Sequence, residues 1–132
     1  MRLSYRPAEN TLRLTLDVER GRPVARLDLP GYVDVGEGGR LVGVEVLTAH
    51  GVDLSEALAE WVGDPVAREY VAVDDKTAYV TLSVPEQATG REEVRAARAT
   101  LAAELDESRR LVALSIPRRG AGYEISYPSG NQ

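Results

Sequence analysis

Val33-Asp34-Val35-Gly36-Glu37-Gly38-Gly39-Arg40-Leu41-Val42-Gly43-Val44-Glu45-Val46-Leu47 reads as a strand, a tight turn and a second strand. Apolar side chains recur with a period of two on either side of the turn, the pattern of a half-buried strand. Gly36-Glu37-Gly38-Gly39 can only turn, because its glycines permit positive φ. The same pattern continues outward in both directions. Upstream, Leu12, Leu14 and Leu16 alternate with Arg13, Thr15 and Asp17, preceded by a short strand at Leu3–Tyr5 and a turn from Pro7 to Asn10. Ala25, Leu27 and Leu29 alternate until Pro30-Gly31, which is expected to break the run before Tyr32–Val35. Downstream, Tyr70–Val73 leads through Asp74-Asp75-Lys76 to Val80 and Leu82, which alternate with Tyr79, Thr81 and Ser83. Leu111–Ile116 and Tyr123–Tyr127 complete the strand candidates, and the tail from Pro128 to Gln132 is expected to fray. Short strands joined by tight turns make an antiparallel meander.

One helix interrupts this pattern. Asp53 is placed to cap it, with Glu56 three residues on. Leu54, Leu58 and Trp61 then share a face, and Gly63-Asp64-Pro65 stops it. It divides the chain into halves that align with each other. Thr11-Leu12-Arg13-Leu14-Thr15-Leu16 falls on Thr77-Ala78-Tyr79-Val80-Thr81-Leu82. Glu37, Arg40, Leu41 and Val42 fall on Glu107, Arg110, Leu111 and Val112, and Val44 and Val46 on Leu114 and Ile116. The phase agrees throughout, and a slip of one residue would exchange the faces. The expected class is α+β, mainly β: one domain over residues 1–132, with strand meanders duplicated at 2–48 and 70–120 and one short connecting helix at 53–63. The second copy is expected to cover the apolar face of the first. Leu14, Leu16, Val42, Val44, Val80, Leu82, Val112 and Leu114 are the expected core.

Two rules conflict over Arg91–Leu105. Thr89 with Glu92 makes a capping-box pattern, and Val94, Ala97, Leu101 and Leu105 could share a helical face. The repeat instead lays Ala103-Glu104-Leu105 on Val33-Asp34-Val35, which makes Ala99–Leu105 a strand. The strand is preferred, because tertiary context overrides propensity.

The net charge is −5, which argues against broad electrostatic attraction to nucleic acid or anionic lipid. The only basic clusters are Arg118-Arg119 and Arg91, Arg95 and Arg98. There is no Cys, hence no disulfide, thiolate metal site or cysteine nucleophile, and a reducing, cytoplasmic location is expected. No stretch has the length and apolarity of a membrane span.

The first 48 residues or so resemble the short bacterial domains catalogued as domain of unknown function 2283. The likeness lies in Ser4-Tyr5-Arg6-Pro7 followed by Leu12, Leu14 and Leu16, and more specifically in Val33-Asp34-Val35, the glycine turn and Gly39–Leu47. Arg6 and Gly36 depart from the family, which commonly has acidic residues there. The second half keeps Glu104, Asp106, Arg110, Leu111 and Val112, but has Ala113 and Ser115 where Gly43 and Glu45 stand. The resemblance implies a small β-rich domain and brings no catalytic residue.

Candidate chemistry is sparse. His50, the single histidine, lies in a turn with no evident base, nucleophile or metal partner. If Val35 pairs with Arg40, then Asp34, Gly43 and Glu45 share the face opposite Val33, Val42 and Val44, with Tyr32 covering Gly43. Tyr32, Asp34, Glu37 and Glu45 are the binding candidates. Two acids on one face suit a hard cation or acid–base work, although solubilising charge on a wet face is the plainer account. No catalytic residue, metal cluster or cofactor loop is identified. The expected function is therefore that of a non-catalytic interaction or regulatory protein, and the family resemblance implies an antitoxin-like one that acts on a partner protein. The alternative is a small-molecule or divalent-cation module using the acidic face. The expected partner is protein rather than nucleic acid or membrane, with the chain as monomer or homodimer.

Overall fold

The computed structural model describes residues 1–17, 21–83 and 93–126. Eight strands form one antiparallel sheet: β1 (Arg2–Arg6), β2 (Thr11–Thr15), β3 (Ala25–Val35), β4 (Leu41–Leu47), β5 (Val71–Val73), β6 (Thr77–Thr81), β7 (Arg95–Leu105) and β8 (Leu111–Pro117). Their order is β1-β2-β8-β7-β3-β4-β6-β5. A separate hairpin pairs β9 (Arg119–Gly120) with β10 (Tyr123–Glu124). Thr89 and Glu92 of the capping pattern, Tyr127 and the tail lie outside the described residues. Arg95–Leu105 is strand over its whole length, as expected for Ala99–Leu105 and against local helix propensity. Each β7 residue faces one on β3, from Ala25↔Leu105 to Val35↔Arg95. This ladder secures the Ala-rich run as extended chain.

Pro30-Gly31 does not break β3. Pairing to β4 ends at Gly31↔Val46, so at Pro30 the strand has a neighbour on the β7 side only, a place where proline is tolerated. The halves do not stack face on face. They join edge to edge through β3 and β7, and the first hairpin, β1–β2, pairs with β8 of the second half. The sheet curls about a single core that takes Leu12 and Leu14 from β2, Val44 and Val46 from β4, Val80 from β6 and Leu114 and Ile116 from β8.

The burial predicted for the core holds for Leu14, Leu16, Val42, Val44, Val80, Val112 and Leu114. Leu82 is only half-buried. Val42 and Val112 are buried but stand outside the core cluster. Both hairpins slip register, between Asp34 and Val35 and between Glu104 and Leu105, and Val42 and Val112 fall at these bulges. Leu41 and Leu111 take the inward places.

The connection between β4 and β5 covers the core. Its expected single helix is two short ones, α1 (Leu54–Ala57) and α2 (Ala59–Gly63), which pivot at Leu58 with φ −100° and ψ 17°. The pivot leaves Leu54, Leu58 and Trp61 all buried. The Asp53 carboxylate caps α1 by accepting from the Ser55 and Glu56 amides. The Trp61 indole N–H donates to the Leu111 carbonyl at 3.0 Å, tying the connection to the second half.

Candidate functional site

The register of β3 and β4 differs from the expected one. Val35 pairs with Leu41 instead of Arg40, and beyond the bulge Asp34 faces Gly43 and Tyr32 faces Glu45. The shift from the expected register is an even number of residues, so Tyr32, Asp34, Gly43 and Glu45 still share the outer face of the sheet. Glu37 does not join them; it is exposed in the 3-10 turn at Glu37–Gly39.

Tyr79, on β6, is the residue that organises this face. It stands opposite Glu45, and its ring crosses β4 so that its hydroxyl donates to Asp34 Oδ2 at 2.5 Å. Gly43 makes the crossing possible. A Cβ there would lie 2.5 Å from the Tyr79 oxygen and 2.8 Å from the Val80 carbonyl oxygen. Tyr79, rather than Tyr32, therefore covers the strand glycine. Burial, then the bond to Asp34, then the negative charges of Asp34 and Glu45 hold the phenol well above its usual ionisation range. Tyr32 lies beside Arg98 of β7, its register partner.

The other end of the sheet carries a like arrangement with different chemistry. Arg13, at the place equivalent to Tyr79, reaches across β8 to Glu104, the equivalent of Asp34. Its Nε and Nη2 donate to the two carboxylate oxygens at 3.2 and 3.0 Å. Beneath it lie buried Ala113 and Ser115, where the first half has Gly43 and Glu45. The alignment of the halves places Arg13 on Tyr79 and Asp34 near Glu104. It does not say that these residues meet, because each pair spans an intervening strand.

What the acidic face can do is narrowed by these contacts. Asp34 is engaged by a neutral donor, and among the described residues no group of three or more His, Asp or Glu side chains is placed to hold a metal. His50, with φ 58°, sits in an exposed turn closed by the Val52 amide on the Ala49 carbonyl.

A sizeable cavity lies elsewhere, between the β1–β2 hairpin and the chain around Val66–Tyr70 and Thr81–Ser83. It measures about 480 Å³ and is lined by Met1, Leu3 and Leu14 from one side and Val66, Tyr70 and Leu82 from the other, with Asp17, Thr81 and Ser83 as its polar members. Val66 and Tyr70 are exposed. The space under α1 and α2 is only about 10 Å³ and wholly apolar in lining, a packing gap rather than a site. On β5 the hydrogen bonds from Thr81 N to Tyr70 O and from Asp74 N to Thr77 O fix the ladder's phase. In an antiparallel pair these alternate, so the main-chain groups of Val71 and Val73 point away from β6. Among the described residues no helix is long and apolar enough to cross a membrane. Comparison with protein-family models, curated proteins and solved structures returned no match.

Proposed function

We propose that this chain is a non-catalytic interaction protein that takes an extended segment of a partner protein along β5, at the groove between the two ends of its sheet. The groove is the observation that carries this reading. It has the volume of a binding site, an apolar floor and a few polar groups at its rim. Beside it, Val71 and Val73 offer outward-facing main-chain groups, which an added strand can pair with while its side chains enter the groove. A regulatory, antitoxin-like role in the cytoplasm is the expected setting. The two halves are proposed to be divergent copies of one meander related to the domain of unknown function 2283 family. The motif that supports this kinship, Val33-Asp34-Val35 to Leu47, occupies β3, its turn and β4.

Val73→Pro tests the site. Proline removes an N–H that β6 does not use, so the β5–β6 ladder keeps its bonds. Tagged wild type, Val73→Pro and Glu45→Gln are compared for proteins captured from lysate. The reading expects the same protein with wild type and Glu45→Gln, and its loss with a folded Val73→Pro variant. Loss with Glu45→Gln alone would move the site to the acidic face and favour the cation or small-molecule alternative.

A further inference from the structure

The pairing of the strands contains a symmetry that the strand order alone does not require. Place β3, its turn and β4 on β7, its turn and β8, with Ala25 on Arg95 and Leu47 on Pro117. Place β2 on β6 with Thr11 on Thr77, and the middle of β1 on β5 with Leu3 on Val71. The sheet order then becomes itself read backwards. The registers follow. Leu12↔Ile116 and Leu14↔Leu114 become Ala78↔Val46 and Val80↔Val44, both present. Leu3↔Leu14 and Tyr5↔Leu12 become Val71↔Val80 and Val73↔Ala78, also present. The bulge at Asp34/Val35 becomes the bulge at Glu104/Leu105. The turn closure from Gly36 N to Arg40 O, 2.7 Å, becomes that from Asp106 N to Arg110 O, 2.9 Å. The junction bond from Thr48 N to Lys76 O, 2.9 Å, becomes that from Arg118 N to Asn10 O, 3.1 Å.

The central ladder maps onto itself. Ala25↔Leu105 becomes Val35↔Arg95, its opposite end, and Pro30↔Thr100 maps onto itself, so the axis passes there. A strand that pairs about its own midpoint has, as its fitting complement, a second copy of the same strand in the same conformation. That is the isologous contact of a twofold dimer. The hairpin exchange says the same. β2 lies on β8, the last strand of the other half, and β6 lies on β4. One half alone would leave β3 an open edge and its first hairpin without a strand to lie on.

We infer that the half-chain is a self-pairing unit whose partner is a second copy of itself, bound through the third strand and by exchange of the first hairpin. This protein is two such units fused through the α1–α2 connection. The inference rests on the duplication proposed above and is independent of the β5 groove. Fusion lets the copies differ near the axis, and they do: Gly31 stands where the other unit has Leu101, and a Cβ on Gly31 would clash with the Glu45 carbonyl oxygen of its own unit and lie 2.8 Å from a Leu101 methyl of the other.

Two full-length variants test it. In the first, residues 102–117 are replaced by the sequence of residues 32–47, which makes the outer part of the third strand, the turn and the fourth strand the same in both units while Pro30, Thr100 and Leu101 stay. It is expected to keep the oligomeric state of the wild type, with a single melting transition and protected β3 amides. The second, R13Y/E104D/A113G, gives the outer face around β8 the set that Tyr79, Asp34 and Gly43 form around β4. Its added phenol is expected to resist alkaline ionisation as Tyr79 does. If that phenol titrates with ordinary exposed tyrosines, the units are not equivalent, and the duplication falls with the inference. If the triple variant behaves as expected but the exchanged chain loses β3 protection or the oligomeric state of the wild type, the units are equivalent and the self-pairing alone is wrong.

Discussion

Arg13 and Glu104 hold three strands together from above: the guanidinium leaves β2, passes over β8 and meets the carboxylate on β7 through two bonds, at 3.2 and 3.0 Å. Both side chains are largely shielded, at 16 and 18 % exposure, so water competes with the pair less than at an open surface. A double-mutant cycle of Arg13→Met and Glu104→Gln in urea is expected to give a coupling of about 1–3 kcal/mol. A coupling near zero would reduce the contact to surface decoration.

Gly43 is required by its neighbour across the sheet. Gly43→Ala is expected to destabilise by about 1–3 kcal/mol, because the new methyl meets both the Tyr79 hydroxyl and the Val80 carbonyl. Tyr79→Leu in the same chain should recover part of that loss, since only the side-chain obstacle can be removed. Chemical unfolding of the single and double variants measures the recovery; none at all would place the whole cost in the backbone contact.

Tyr79 makes stability fall at high pH. Its folded-state ionisation lies above the ordinary 10.0 of the unfolded chain. Between those two values the unfolded state has lost a proton that the folded state keeps, so stability declines as pH rises. The contribution is complete below about pH 10 and vanishes once the folded-state phenol ionises. Urea midpoints from about pH 8 to 11 are expected to drop less steeply for Tyr79→Phe than for wild type. Parallel curves would show that the phenol is not held by Asp34.

Leu16 and Leu82 occupy equivalent places in the two halves but differ in burial: Leu16 is 5 % exposed, while Leu82 lines the groove beside β5. Leu16→Ala is expected to cost about 2–5 kcal/mol, and Leu82→Ala roughly half as much, because its cavity opens to water. Equal losses in thermal or urea unfolding would mean that the groove is closed in solution.

The strands, their inward faces and the likeness of the halves are legible in the amino-acid order, because side-chain alternation is a local property with a period of two. Leu12 and Leu14, Val44 and Val46, and Val80 announce their face without any partner. The same phase argument turns Ala99–Leu105 from helix to strand, since Ala103-Glu104-Leu105 aligns with Val33-Asp34-Val35. The acids Asp34 and Glu45 are likewise recognisable as neighbours on one outer face. What only the folded chain decides is anything that depends on a third strand. Tyr79 meets Asp34 over Gly43, and Arg13 meets Glu104 over Ala113, across gaps that no pairwise alternation describes. The bulges at Val42 and Val112 send Leu41 and Leu111 inward, because one extra residue in a ladder reverses the faces beyond it. Pro30 continues a strand it was expected to end, because it stands past the last β4 pair and β7 holds its other side. The joining of the two halves edge to edge through β3 and β7, with β2 paired to β8 and β6 to β4, is a long-range choice among strand partners. Local pattern specifies which face of a strand is apolar, whereas the neighbour along each edge is set by the packing of the whole sheet around one core.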